Sequence, residues 1–295
     1  METVPVLKGS AGLNNKVDPA RLRYDSETGI QELAVAKNVD IGDSGRVSRR
    51  KGYSKVLDLS DCHSIYNTGD YCLFVHAGAL AVLEKDYSYT NIRNVTVGAN
   101  VSYVQVEDKV YYCNGHENGY VKSRVSYPWV GEVYVGPTTT KTFSDPPVGH
   151  LVELFSGRIY IASDSVLWYT EPFAYSWVDF AQNFIPFESK VRMIEAVDEG
   201  LWVSDSNKVY FLRGKSPKEF EVTIVTSYPA IEGTTHDVFD IDEAKAVVWT
   251  STEGICMGFS SGKFKNLTRH KLWYPDSVKG AGLEIDGKYI CALQP

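Results

Sequence analysis

Six short segments of this chain repeat one plan, and that repeat restricts the possible folds more than any other feature. HSIYNTGDYCLFV, SYVQVEDKVYYC, LVELFSGRIYIA, IEAVDEGLWVS, FDIDEAKAVVWTS and GLEIDGKYICAL each join an alternating strand to a second strand through a tight acidic or glycine turn. An aromatic ring sits near the start of each second strand, at Phe74, Tyr111, Tyr160, Trp202, Trp249 and Tyr289. These rings are 37, 49, 42, 47 and 40 residues apart, a mean of 43. Units of about 40–45 residues holding several short strands are the signature of propeller blades. Further strand-like runs follow each hairpin, such as ALAVLE, GYVKSRV, SVLWYT, KVYFLRG and ICMGF. A fourth strand is suggested in IRNVTV, YSWVDF and EFEVTIV. The expectation is an all-β, six-bladed β-propeller in which the equivalent rings fill the core between blades. Composition agrees, because 19 Tyr and 12 Phe against 3 Met suit half-buried sheet surfaces. A chain of 295 residues can form one such domain.

The sixth unit contains two strands, which would leave an unpaired edge. The expected donors of its outer strands are QELAVAKNVDI (31–41) and GRVSRRKGYSKVLDL (45–59), joined by a Gly-Asp-Ser-Gly turn. Residues 31–295 are therefore expected to form the propeller, with 31–59 as its closing hairpin. Residues 1–30 are rich in Gly, Asn, Asp and Ser and have no sustained period, so they are expected to form an irregular arm. The stretch GPTTTKTFSDPPVG (136–149) is expected to protrude as a loop between the second and third units.

Residue chemistry does not point to catalysis, and the expectation is that the chain is not an enzyme and has no cofactor. Repeated Ser-x-Asp-x-Gly-x-Thr-Trp boxes of sialidase type are absent, since SDSVLW and SDSNKVY lack the Gly and Thr. Carboxylate pairs for glycoside hydrolysis need only be close in space, but nothing in the spacing singles one out. The densest group of metal-ligand residue types is HDVFDIDE, with His236, Asp237, Asp240, Asp242 and Glu243. It lacks the Asp-x-Asp-x-Asp-Gly order of a calcium loop and reads as a strand with solvated acids. No metal site is assigned. Five cysteines without metal-ligand spacing fit reduced thiols, although Cys62 and Cys72 are expected on adjacent strands. No early apolar run reaches the length of a secretory core and none approaches a membrane span, so a protein made in the cytoplasm with no membrane partner is expected.

Charge is unevenly distributed. Residues 1–57 carry ten Lys/Arg and seven Asp/Glu, a balance of +3, which leaves −10 in the remainder of a chain whose net charge is −7. An acidic body disfavours tight binding of nucleic acid over the whole surface. The basic residues are concentrated in NVDIGDSGRVSRRKGY (38–53), with Arg46, Arg49, Arg50 and Lys51. Strand alternation would turn Arg46 and Arg50 to one face and Arg49 and Lys51 to the other, dividing the charge instead of forming a single phosphate-binding patch. Together with Asn38, Arg21 and Arg23, these residues are candidates for ring closure or an interface.

The run GLNNKVDPARLRYDSETGIQELAVAKNVDIGDSGRVSRRKGY resembles the N-terminal region of tail and neck propeller proteins of tailed bacteriophages. The matching positions are Asn38, Val39, Ile41, Gly45, Val47, Arg49, Arg50 and Gly52. The stretch from LWYTEPF to VYFLRG also resembles those proteins in the order of its tryptophan strand, turn and hairpin. Proteins of this kind include the tail nozzle of T7-like phages and the tail hub or DNA-stabilisation protein of P22-like phages. The resemblance implies a structural virion protein in the tail or neck that assembles as a six-fold homo-oligomeric ring. Its implied partners are the portal, the adaptor and other tail proteins, with double-stranded DNA passing through the channel without tight binding. The chain departs from these proteins in lacking the large insertions of the nozzle.

Two other classes are compatible with a propeller. A carbohydrate-binding or glycan-active protein would place Trp129, Trp168, Trp177 or Trp273 in a cleft. A host-derived scaffold for peptide partners is disfavoured by the absence of Trp-Asp and kelch signatures.

Overall fold

A computed structural model describes residues 9–42, 44–131, 140–239, 244–274 and 279–294. Among these the chain is all-β, with only two single-turn 3-10 helices, Pro19–Arg21 and Pro217–Glu219. No helix among them is long and apolar enough to cross a membrane.

Five antiparallel four-stranded sheets follow one another along the chain, each meandering from its first strand to its fourth. The first contains His63–Asn67, Cys72–His76, Ala79–Leu83 and Tyr89–Asn94. The second contains Ser102–Val106, Lys109–Cys113, Asn118–Lys122 and Val125–Tyr127. Leu151–Phe155, Arg158–Ser163, Val166–Tyr169 and Phe184–Pro186 form the third. Met193–Val197, Gly200–Ser204, Val209–Arg213 and Glu221–Thr226 form the fourth. His236–Phe239, Lys245–Ser251, Gly254–Phe259 and Phe264–Asn266 form the fifth. A last sheet has two strands among the described residues, Lys279–Ile285 and Lys288–Gln294. This succession of blade-like sheets is the arrangement of a β-propeller.

Turn chemistry sets the register. Ser156 and Gly157 both have positive φ (48° and 72°), as do Asp286 and Gly287 (52° and 74°). Two successive positive values give the primed turns that match strand twist. Phe155 and Arg158 are therefore paired at one turn, and Ile285 and Lys288 at the other.

The core lies between sheets. One buried cluster joins the first and second sheets through Leu73, Val82, Val110 and Tyr112. Others join the second to the third around Tyr111, Trp129 and Ile159, and the third to the fourth around Tyr160 and Leu201. Trp202, Trp249 and Phe211 bind the fourth sheet to the fifth. Tyr160, Trp202 and Trp249 are fully buried, as expected for rings filling the space between blades. Burial of aromatic groups of this size is a principal source of core stability. No comparable apolar cluster among the described residues includes the last sheet.

The last sheet is attached to the fifth by polar and main-chain contacts. Gly280 N–H donates to Glu232 O at 2.8 Å and Gly282 N–H to Gly233 O at 3.0 Å. Tyr289 Oη donates to Thr234 O and lies 3.0 Å from Thr250 Oγ1. A Cβ at position 282 would lie 2.2 Å from Thr234 O, so glycine is required for this close approach.

The N-terminal region has more order than an irregular arm. Gly9–Leu13 pairs in parallel with Ile30–Leu33, and Val39–Ile41 pairs antiparallel with Val47–Arg49. The expected hairpin therefore exists but is short. Residues 31–33 belong to a different pair, and 50–62 contain no strand. Among the described residues, Val39–Ile41 and Val47–Arg49 form a separate sheet with no ladder to the last one. Residues 141–144 contact the connection between the third and fourth strands of the third sheet. Ser144 bridges to Val178, Phe143 stacks on Trp177 at 5.4 Å, and Lys141 pairs with Glu171 at 2.5 Å. Residues 136–139 lie outside the described part.

Candidate functional site

The first strands of the five four-stranded sheets and of the last sheet line a cavity of about 1120 Å³. Its wall includes Tyr66, Tyr103, Glu153, Glu195 and Asp237, one from each four-stranded sheet, and Gly282 from the last sheet. Glu153 is paired directly with Tyr160, and Glu195 with Trp202. The two carboxylates thus occupy corresponding places in consecutive repeats.

Three carboxylates share one cation here. Lys245 Nζ lies 2.8 Å from Asp237 Oδ2. Burial raises the Glu195 carboxyl well above its ordinary range, and the charges of Glu153 and Asp237 raise it further. Glu153 is pushed up to about 7, first by burial and then by Asp237, against the opposing pull of Lys245. Burial alone would lower Lys245, but Glu153 and Asp237 outweigh it and raise its pKa. A low-dielectric wall holding more carboxylates than cations favours proton uptake, the ordinary response of like charges brought together. The repeats contained the signal for this group, in the central Glu of LVELF and MIEAV, but sequence reasoning missed it.

The densest group of ligand residue types in the sequence is divided by the structure. His236 and Asp237 lie on the first strand of the fifth sheet, while Asp240, Asp242 and Glu243 lie outside the described residues. No cluster of three or more His, Cys, Asp or Glu able to hold a metal occurs among the described residues. Cys62 and Cys72 do not approach each other. Register pairs Cys72 with Asn67 and His63 with Val75, so the two cysteines flank opposite ends of one strand. That separation is about 16 Å, beyond the roughly 7 Å Cα limit for a disulfide.

The basic residues are displayed at the surface. Arg46, Arg49, Arg50 and Lys51 are exposed and form no ion pair among the described residues. The strand itself covers only 47–49, and main-chain hydrogen bonds from Gly42 to Arg46 and from Arg50 to Asn38 continue the pairing by one residue at each end. Asn38 is exposed and takes a left-handed backbone (φ 55°), a conformation that asparagine tolerates well. Arg50 N–H donates to Asn38 O at 2.9 Å, extending the hairpin ladder by one rung. Arg21 and Arg23 are also exposed, on and just after the short 3-10 turn.

The hairpin is anchored through the preceding chain. Ser10 N–H donates to Gly45 O at 2.7 Å. Asn15 exchanges backbone and side-chain hydrogen bonds with Lys271 and Trp273, and Lys16 Nζ donates to Arg269 O at 2.6 Å. Buried Glu32 accepts from Asn14 Nδ2 at 2.7 Å and faces Lys271 Nζ at 3.7 Å. Burial would raise its carboxyl, but these partners outweigh it and hold the pKa below its ordinary value.

No protein-family model matches the chain, and no curated protein matches it. Solved structures similar in fold include the extracellular domain of a putative hybrid two-component system from B. thetaiotaomicron. Its TM-score is 0.54 at 9% identity, over 83% of this chain and 34% of that one, so the chain spans about a third of its length. Hsv2 of Kluyveromyces lactis gives 0.48 at 10% identity over 84% and 81% of the two chains. Virginiamycin B lyase of Staphylococcus aureus gives 0.48 at 12% identity over 97% and 92%. At these identities the likeness concerns the fold alone.

Proposed function

We propose that this chain is a non-enzymatic structural protein of a tailed-phage virion, acting in the head-to-tail or tail hub and nozzle region. In this reading it is a six-bladed propeller whose last blade is completed by the N-terminal hairpin. Copies form a six-fold ring that contacts the portal, the adaptor and other tail proteins. DNA passes through the ring without tight binding, and the protein is made in the host cytoplasm.

The observation that carries this reading is the hairpin pattern Asn38, Val39, Ile41, Gly45, Val47, Arg49, Arg50 and Gly52, together with its display as an exposed basic element. The acidic remainder of the chain, −10 after residue 57, is compatible with it, since a conduit that releases DNA benefits from weak phosphate affinity. A carbohydrate-binding propeller is the alternative, and it needs accessible aromatic platforms. Trp129 is buried, Trp168 packs edge-on against Phe180, and Trp177 stacks on Phe143, which leaves Trp273 as the exposed member of that set.

Negative-stain imaging of the purified protein mixed with portal and adaptor rings tests the proposal. Coaxial rings docked on the portal–adaptor complex are expected. Monomers that touch no virion component would overturn it, and saturable glycan binding by the isolated monomer would favour the alternative.

A further inference from the structure

The cavity has two unlike walls. The third, fourth and fifth sheets line it with Glu153, Glu195 and Asp237. The last sheet lines it with Ala281, Leu283, Ile290 and Ala292, and the first sheet adds Ile65. Leu283 is 48% exposed and Ile290 38%, so this inner wall presents apolar surface that an occupant can cover. At about 1120 Å³ the space is ample for a small organic molecule, whose sites run to roughly 300–1,000 Å³.

The carboxylate wall is short of cations. Asp237 is paired with Lys245, but Glu153 and Glu195 form no ion pair among the described residues. Glu153 accepts only from the Leu154 N–H at 3.0 Å, and Glu195 has Thr235 as its hydrogen-bonding neighbour. Other charged and imidazole groups of the lining do not fill the gap. Glu232 pairs with Lys190 at 3.1 Å and His150 Nε2 donates to Val191 O at 2.7 Å, while Arg192 and His236 form no ion pair among the described residues. Burial and mutual repulsion therefore keep protons on Glu153 and Glu195. The described carboxylates form no cluster able to hold one metal ion, so a single ion does not match their spacing. An extended cation does.

We propose that the cavity binds a linear aliphatic polyamine, with ammonium groups against Glu153 and Glu195 and its methylene chain against the apolar wall of Leu283 and Ile290. Each ammonium takes the place of a proton: the carboxylic O–H of Glu153 or Glu195 releases its proton to solvent, and the carboxylate pairs with the ammonium. A monoamine satisfies one carboxylate and leaves the other. The inference stands apart from the phage assignment and from ring formation.

Titration calorimetry of the purified protein with spermidine at low salt tests it. Saturable binding of one spermidine per chain is expected at pH 8, weakened about ten-fold or more at pH 5.5, where protons compete for the same oxygens. At pH 6.5, heats measured in buffers of different ionisation enthalpy should show proton release. Glu153→Gln with Glu195→Gln should weaken binding about ten-fold or more at pH 8, and butylamine should bind the parent protein more weakly by a similar factor. Leu283→Ser should cost about three-fold through lost methylene contact. Glu219→Gln with Glu221→Gln removes two exposed carboxylates outside the cavity and should leave binding unchanged. Thermal melts confirm that each variant is folded. No saturable binding at pH 8, equal losses in the cavity and surface variants, or displacement of spermidine by equimolar magnesium chloride would overturn the proposal.

Discussion

The first five sheets and the last one share a hairpin plan yet bury it differently. In the third sheet the second strand, Arg158–Ser163, is buried along its centre on both faces, because another sheet lies on each side. In the last sheet both strands alternate between half-buried and exposed positions. The corresponding rings show the contrast in one side chain: Trp202 and Trp249 are fully buried, while Tyr289 is half-buried and uses its hydroxyl to bind Thr234 and Thr250. Stability in the first five sheets comes from apolar packing between neighbours. The last sheet is held in place mainly by hydrogen bonds.

The largest expected effect breaks the packed side of this comparison. Trp202→Ala should destabilise the protein by about 3–5 kcal/mol, the usual range for removing a buried aromatic ring. Leu283→Ala should change stability by less than about 0.5 kcal/mol, as at most exposed sites. Denaturant unfolding of both variants checks this, and similar losses would mean that the last sheet is packed like the others. Gly282→Ala should come next, at about 1–3 kcal/mol, because a Cβ there meets Thr234 O. Hydrogen exchange should locate the loss in 279–294 and leave the fourth sheet protected.

A smaller effect follows from the channel carboxylates. Glu153 and Glu195 have pKa values raised above their ordinary value of 4.5, Glu153 to about 7. The folded state therefore binds more protons than the unfolded state between pH 4.5 and about 7. The Glu153 contribution to stability is full below pH 4.5 and is lost as pH rises through about 7, and that of Glu195 is likewise lost as pH rises through its raised value. Glu195→Gln should thus melt progressively higher than the parent protein as pH rises from 5 to 8, with little difference at pH 5. A constant difference across that range would show that the Glu195 carboxyl is not raised above its ordinary value. The smallest change is expected for Arg49→Ala with Arg50→Ala. These exposed side chains form no ion pair among the described residues, so the monomer's melt should stay within about 0.5 kcal/mol. The double variant should instead reduce the assembled fraction seen by light scattering.

The repeat was legible because ring spacing and turn residues are local signals. Phe74, Tyr111, Tyr160, Trp202, Trp249 and Tyr289 all fall on the second strand of their sheets. Strand length in the N-terminal region was less legible. The alternation in GRVSRRKGYSKVLDL suggests one long strand, but a ladder needs a partner, and only 47–49 have one among the described residues. The carboxylate cluster was missed because its members are far apart in sequence. Glu153, Glu195 and Asp237 meet only once three first strands have been brought around one channel.

The attachment of the last sheet has a consequence for how this sequence can drift. Its ties to residues 232 and 233 run from the amides of Gly280 and Gly282 to main-chain carbonyls, so they do not depend on side-chain identity, whereas the tie to Thr234 O needs the Tyr289 hydroxyl. The opposite face, whose Ala281, Leu283, Ile290 and Ala292 line the cavity, can exchange one apolar residue for another while the sheet stays in place. The two glycines are the fixed points. Among diverged copies of this fold, small residues at 280 and 282 should outlast every side chain on the face they support.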